Sequence, residues 1–280
     1  MKRLPFALAL PVALALLALG SVGCIRKIQA SVPGAQDRSV SATCGNGATF
    51  RDKPYTWENN QWGSGKNHGA YQQCLLERDV NGETQHGWSW IWPGTDSSVF
   101  AYPEIIFGWK PWTGGKSSDK RFPMKLSDLQ HLQIHYDVET EAEGSYNLAP
   151  EVWIISHRSG AGVPDPKLIT AEIMFWQEAS GVAQPAGTVV DRPEVGGLTY
   201  ELWQKDHAGD NGVGGWRLLS FKTPTTLRKG TVPVDALLRY LLQKGLIGAN
   251  EYIATVEFGN EISGGTGTTW VKKFEVDVSP

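Results

Sequence analysis

The sequence predicts an all-β protein: a β-jelly-roll sandwich of two antiparallel sheets with one amphipathic helix. Three observations predict it. Apolar residues recur at period two in several short segments, turn-forming glycines and asparagines separate those segments, and helical periodicity occurs in one late stretch. A long run of strands with one helix suits a single domain of about 240 residues, a size that sandwiches reach without splitting.

The N-terminal segment stands outside that domain. Lys2 and Arg3 open the chain, Leu4 to Leu19 is uncharged and apolar, and Gly20, Ser21 and Gly23 are small, so residues 1–23 read as a secretory signal peptide. An apolar run of about 16 residues falls short of the roughly 20 that span a bilayer. Cys24, behind Ser21-Val22-Gly23, sits as the lipidated cysteine of a bacterial lipoprotein does, whereas cleavage after Ala30 would release a free protein. Residues 24–40 show no apolar period and read as a tether, leaving 41–280 as the folded domain. The cysteine count is odd. With Cys24 lipidated, Cys44 and Cys74 remain as a pair in an oxidising compartment, and cleavage after Ala30 leaves the same pair. Their bond would close a loop of about 30 residues, worth ~3–4 kcal/mol by the chain-entropy argument.

Within the domain, Trp88, Trp90 and Trp92 alternate along one strand, and Leu132, Ile134, Tyr136 and Val138 share a face of another. Ala171 to Trp176 is a third. Tyr252, Ala254, Val256 and Phe258, then Trp270, Lys272, Phe274 and Val276, mark two more near the C-terminus. Turns are placed at Asn81-Gly82, Gly114-Gly115, Gly196-Gly197 and Gly209-Asp210-Asn211-Gly212. The helix is written by Val234, Leu237, Leu238, Leu241 and Leu242, with Pro233 at its start and Gly245 at its end.

Composition narrows the function. A net charge of −3, or −5 once Lys2 and Arg3 leave with the leader, argues against binding nucleic acid, which needs a basic surface to neutralise phosphates. The six histidines are scattered, and His131 and His135 fall in a strand pattern, so no zinc site is expected. No nucleophile elbow, phosphate loop or dinucleotide fingerprint occurs.

Carboxylates among apolar residues are the stronger signal. In Ala171-Glu172-Ile173-Met174-Phe175-Trp176, alternation puts Glu172, Met174 and Trp176 on one face, so Glu172 is buried or lines a cleft. Glu261 follows the strand Val256 to Phe258 at a bend, with glycines beyond it. Asp137 lies on the polar face of the strand Leu132 to Val138. Two carboxylates in one cleft suit glycoside hydrolysis, where one protonates the leaving oxygen and the other attacks or activates water. The 12 tryptophans fit a sugar substrate, because indole stacks on the apolar faces of pyranose rings; Trp90 and Trp62 are candidates, while others fill the core.

These residues together resemble glycoside hydrolase family 12, the jelly-roll endoglucanases and xyloglucanases, from Cys44 to Val278. Asn59-Asn60-Gln61-Trp62-Gly63 resembles that family's Asn-Asn-x-Trp-Gly, whose Asn and Trp line the sugar cleft, and Cys44 and Cys74 flank it as the family's N-terminal disulfide does. Glu172-Ile173-Met174-Phe175-Trp176 resembles the nucleophile strand, which implies that Glu172 is the nucleophile with Met174 and Trp176 beside the substrate. Phe258-Gly259-Asn260-Glu261 resembles Phe-Gly-Thr-Glu, which gives Glu261 the acid/base role, with Asn260 in the Thr position. Tyr136-Asp137 resembles a Tyr-Asp pair whose Asp hydrogen-bonds the nucleophile, and the helix matches the family's one helix. The resemblance implies a retaining endo-β-1,4-glucanase that needs no cofactor, acts on β-glucan polysaccharide as a monomer, and meets a membrane only through lipid on Cys24. A non-catalytic, lectin-like sandwich gripping glycan through its Trp faces is the alternative from another class.

Overall fold

The computed structural model describes residues 40–280 except 68, 95–97 and 160–161. The export signal, Cys24 and nearly all of the tether fall in residues 1–39, outside the described residues. In chain order the strands are β1 (Ser41–Thr43), β2 (Thr49–Asp52), β3 (Tyr55–Glu58), β4 (Gln72–Val80), β5 (Glu83–Trp92), β6 (Glu104–Gly108), β7 (Met124–Lys125), β8 (His131–Ile155), β9 (Ile169–Trp176) and β10 (Glu178–Ser180). There follow β11 (Thr188–Asp191), β12 (Glu194–Val195), β13 (Leu198–Thr199), β14 (Glu201–Ala208), β15 (Trp216–Lys222), β16 (Lys229–Val232), the helix α1 (Val234–Gln243), β17 (Tyr252–Gly259) and β18 (Ile262–Ser279).

Two layers are built on one shared strand. The first half of β8 pairs with β16 and β18, extending through β5 and β4 to β1; its second half pairs with β17 and β9. Beyond those two the second layer runs through β6 and β3 to β2 on one side and through β15 and β14 to β11 on the other. Between the layers, Trp88, Leu132, Ile134 and Tyr136 of the first meet Ile105, Val152, Ile173, Phe175, Val256 and Phe258 of the second, all buried.

One pairing departs from an all-antiparallel plan: β9 and β15 run parallel, with Glu172 opposite Leu218. Parallel neighbours need a long crossover, and the chain between Trp176 and Trp216 supplies it, carrying β10 to β14 before β14 turns back antiparallel onto β15.

The helix forms as its spacing predicts. Val234, Leu237, Leu238 and Leu241 are buried against the core, each leucine removing apolar surface worth ~1.5–3 kcal/mol. It stops at Gly245, whose φ of +67° no β-carbon penalises; the Leu246 amide donates to the Leu241 carbonyl and the Gly245 amide to the Leu242 carbonyl, closing a Schellman motif.

Cys44 and Cys74 are bonded. Cys74 lies on β4 and Cys44 just beyond β1, whose Thr43 pairs with Leu75. The bond and a buried amide network together fix the turn that carries Asn60 and Trp62: the Asn59 side chain donates to the Gly45 and Gln73 carbonyls, and the Gln73 side chain donates to Asn59 and to the Asn60 carbonyl.

Candidate active site

Alternation in the second layer sends every other residue away from the core, and those residues form the floor of the site. Glu58 of β3, Glu104 of β6, Thr255 and Glu257 of β17, Ala149, Glu151 and Trp153 of β8, and Glu172, Met174 and Trp176 of β9 share this face. The register sets them in rows. Glu257, Glu151 and Met174 are successive cross-strand partners, and in the next row Thr255, Trp153 and Glu172 are. Glu151 and Glu172 are thus diagonal neighbours, roughly 7–8 Å apart at the backbone.

Glu172 is 9% exposed, and its Oε2 accepts a hydrogen bond of 2.8 Å from the Trp216 indole N–H. Burial and then the charge of Glu261 raise its pKa to about 8, against the indole hydrogen bond, which favours the ionised form. Glu261 sits in the bend between β17 and β18. Burial raises its pKa to about 7, opposed by the Asn147 amide, which donates to Oε2 at 2.5 Å.

Asn147 is the clamp for that bend. Its Oδ1 accepts from the Glu261 backbone amide, and its own amide donates to the Glu261 carbonyl. Asn260, in the Thr position of the resembling motif, is wholly buried: its side chain donates to the Asn147 carbonyl and accepts from the Trp88 indole and the Thr269 hydroxyl. Gly259 is required beside it, because a β-carbon there would lie 2.3 Å from the Pro103 carbonyl oxygen. The substitution of Asn for Thr is therefore accommodated by hydrogen bonds that hold Glu261 in place.

Beneath the cleft lies an ionic cluster. The Lys110 ammonium reaches Glu104 at 2.5 Å, Glu257 at 3.3 Å and Glu58 at 3.8 Å, with Lys110, Glu104 and Glu257 all nearly inaccessible. Burial opposes the Lys110 charge, but the carboxylates outweigh it and hold its pKa above the ordinary value. Burial pushes Glu104 and Glu151 well up, and neighbouring carboxylates raise each further, while Lys110 draws Glu104 partly back. Glu257 is held below the usual carboxyl range in spite of burial, by Lys110 and by hydrogen bonds from Glu104, Thr255 and Glu151. The cluster orients a cleft residue, because the Asn60 side chain donates to Glu104 at 2.8 Å.

The structure brings together most of the residues singled out from the sequence. Trp62 is 55% exposed, with Lys66 over its ring, and Met174 and Trp176 pack against each other beside Glu172, the Trp176 indole donating to the Met174 sulfur. Two expectations are corrected. Trp90 is 1% exposed and packs edge-on against Tyr146 between the layers, where no sugar can reach it; Trp88, Trp90 and Trp92 do share a face, but the second layer covers that face. Asp137 lies on the first half of β8 and its Oδ2 bonds the Lys229 ammonium at 2.6 Å. Ten residues of strand, about 33 Å of rise, separate it from Asn147, so it does not reach Glu172.

Asn147, Trp216, Lys110, Glu104, Glu151 and Glu257 escape the sequence reading. For the three glutamates a signal was present: each stands inside an apolar strand, the same pattern that marks Glu172. Lys110, Asn147 and Trp216 carry no such mark.

Chemically, the arrangement offers two carboxyls of raised pKa that hold one proton between them near neutrality, an acid and a conjugate base in one site. Comparisons with known proteins agree with it. The family model for glycosyl hydrolase family 12 matches residues 53–279. Endoglucanase S of Pectobacterium parmentieri is 30% identical over 230 residues, which cover 82% of this chain and 83% of that protein. A probable xyloglucan-specific endo-β-1,4-glucanase A of Aspergillus flavus is 24% identical over 221 residues, 78% of this chain and 82% of that one. Among solved structures, the native family 12 xyloglucanase from Bacillus licheniformis superposes with a TM-score of 0.74 at 28% identity, covering 85% of this chain and 100% of that chain.

Proposed function

The chain belongs to glycosyl hydrolase family 12, and from that premise we propose that it is a retaining endo-β-1,4-glucanase in which Glu172 and Glu261 perform a double displacement on β-glucan chains. The observation that carries the reading is the electrostatic pairing of Glu172 and Glu261 in one cleft, each buried enough to raise its pKa and each carboxyl accepting, among the described residues, from one neutral N–H donor.

In this mechanism the Glu172 carboxylate attacks the anomeric carbon while Glu261 gives its proton to the departing glycosidic oxygen. A covalent glycosyl-enzyme results. Glu261, now ionised, takes a proton from water, whose oxygen attacks the same carbon and releases Glu172. Ionisation of either carboxyl raises the pKa of the other, so the site favours a single proton, and the first step draws on the microstate that has it on Glu261, with ionised Glu172 accepting from the Trp216 indole. Asn60 and the exposed ring of Trp62 supply a polar edge and an apolar platform for a sugar unit, and Met174 and Trp176 line the floor beside the nucleophile.

Export to the cell envelope or medium, with or without lipid on Cys24, is part of the same proposal. The apolar leader and the Cys44–Cys74 bond support it. A lectin-like role is disfavoured by the family and by Glu261 lying within electrostatic reach of Glu172. Release of reducing ends from a panel of soluble cellulose derivative, mixed-linkage glucan and xyloglucan tests the activity; cleavage of at least one is expected, and cleavage of none would overturn it.

A further inference from the structure

Trp216 opens β15 at the edge of the floor, and its parity with Leu218, the cross-strand partner of Glu172, places it on the same face as that carboxylate. Its indole N–H donates to Glu172 Oε2 at 2.8 Å, and no other hydrogen bond to that carboxyl is present among the described residues. The ring is itself held. It packs edge-on against Trp112 at 5.3 Å and Trp153 at 5.5 Å between centroids, and those two pack edge-on against each other at 5.5 Å. The Trp153 indole is engaged elsewhere, donating to Glu151.

An indole N–H donates and never accepts. Bound to one oxygen of a carboxylate, it fixes that oxygen as an acceptor and leaves the second free. Resting on the reading of Glu172 as the nucleophile, we propose that Trp216 is a positioning residue for the reaction: it holds Oε2 so that Oε1 is the oxygen presented to the anomeric carbon.

The bookkeeping is consistent through both steps. Oε1 forms the bond to the sugar as the glycosidic bond breaks, Oε2 becomes the ester carbonyl oxygen, and it still accepts from the indole. When water displaces the carboxylate, the electron pair of the breaking C–O bond returns to a group already stabilised by that donor. The hydrogen bond also favours the ionised nucleophile over its acid, against the burial and the charges of Glu261 and Glu257 that favour the acid; Glu151, which interacts with Glu172, and Glu104 and Glu58 beyond it are the other titratable groups on this face.

The test is Trp216→Phe in the full catalytic domain, which keeps an aromatic ring in the cluster and removes the N–H. Trp112→Phe trims the same cluster without touching Glu172, and Glu172→Ala is measured with and without azide. On an aryl cello-oligosaccharide, Trp216→Phe should lower kcat about 10- to 100-fold, the worth of a hydrogen bond to a charged group, with a much smaller change in KM. The acid limb of its kcat/KM profile should move to higher pH. In Trp112→Phe that limb should stay in place. Glu172→Ala should be inactive and recover with azide. If Glu172→Ala is inactive but Trp216→Phe keeps the parent kcat and acid limb, or loses affinity alone, the positioning role is wrong and the nucleophile assignment stands. If Glu172→Ala turns over like the parent, the nucleophile assignment fails and this role with it.

Discussion

Replacing Glu172 by Gln should stabilise the fold at alkaline pH while abolishing turnover, and the size of the effect follows from its burial. The Glu172 pKa rises from the ordinary 4.5 to about 8, driven first by loss of hydration and then by the charge of Glu261. At ~1.4 kcal/mol for each tenfold change in acidity, that rise corresponds to about 5 kcal/mol as an upper bound. The sign is fixed by linkage: the folded state holds the proton more tightly than the unfolded chain, so the stability associated with protonated Glu172 is complete below about pH 4 and is lost as pH climbs through about 8. Gln has no proton to lose, and its amide oxygen can still accept from Trp216. Urea unfolding of parent and Glu172→Gln should give similar stabilities at pH 4 and a variant more stable by up to about 5 kcal/mol at pH 9, which for a domain of this size is ~10–20 °C in Tm. A variant that gains nothing between pH 4 and pH 9 would show that Glu172 is not a carboxylate kept ionised against its surroundings.

Three further outcomes test other parts of the site. Trp62→Ala should raise KM roughly 2- to 12-fold, from ~0.5–1.5 kcal/mol of aromatic contact, with little change in Tm because the ring is 55% exposed; a large Tm loss at constant KM would make it a core residue. Lys110→Met strips the cation from Glu257 and should cost ~3–5 kcal/mol in denaturant unfolding, more at pH 8 than at pH 5, since protonation relieves the abandoned carboxylates. The kcat/KM profile of the free enzyme should peak between about pH 7 and about 8, falling on the acid side as the pair takes a second proton and on the alkaline side as it loses its last; an optimum near pH 4 would contradict the burial of both carboxyls.

Local signals in the sequence translated well into structure. The i, i+3, i+4 leucines and Gly245 define a helix and its stop through contacts within a few residues, and period-two alternation places Glu172, Met174 and Trp176 together on one face. What alternation cannot tell is which face another layer covers, and so Trp90, correctly placed beside Trp88 and Trp92, lies inside rather than in the cleft. The Tyr-Asx pairs show the same limit. Tyr136-Asp137 and Tyr146-Asn147 sit on one strand an even number of residues apart, so parity does not separate them, and Asn147 rather than Asp137 reaches the site because it stands at the end of the first-layer half of β8, just before the strand passes into the second layer at Ala149. The Lys110 cluster draws Glu58, Glu104 and Glu257 from three strands, and Trp216 arrives beside Glu172 through the parallel β9–β15 pairing, which a long crossover rather than any local pattern sets.

The most direct test of the double displacement is proton NMR of the first product released from a soluble β-1,4-glucan, recorded before mutarotation mixes the anomers. Attack by Glu172 followed by attack of water inverts the anomeric carbon twice, so the β-anomer should appear first and the α-anomer should grow in only at the rate of mutarotation. If the α-anomer appears first, a single displacement by water has occurred, and Glu172 is not the nucleophile.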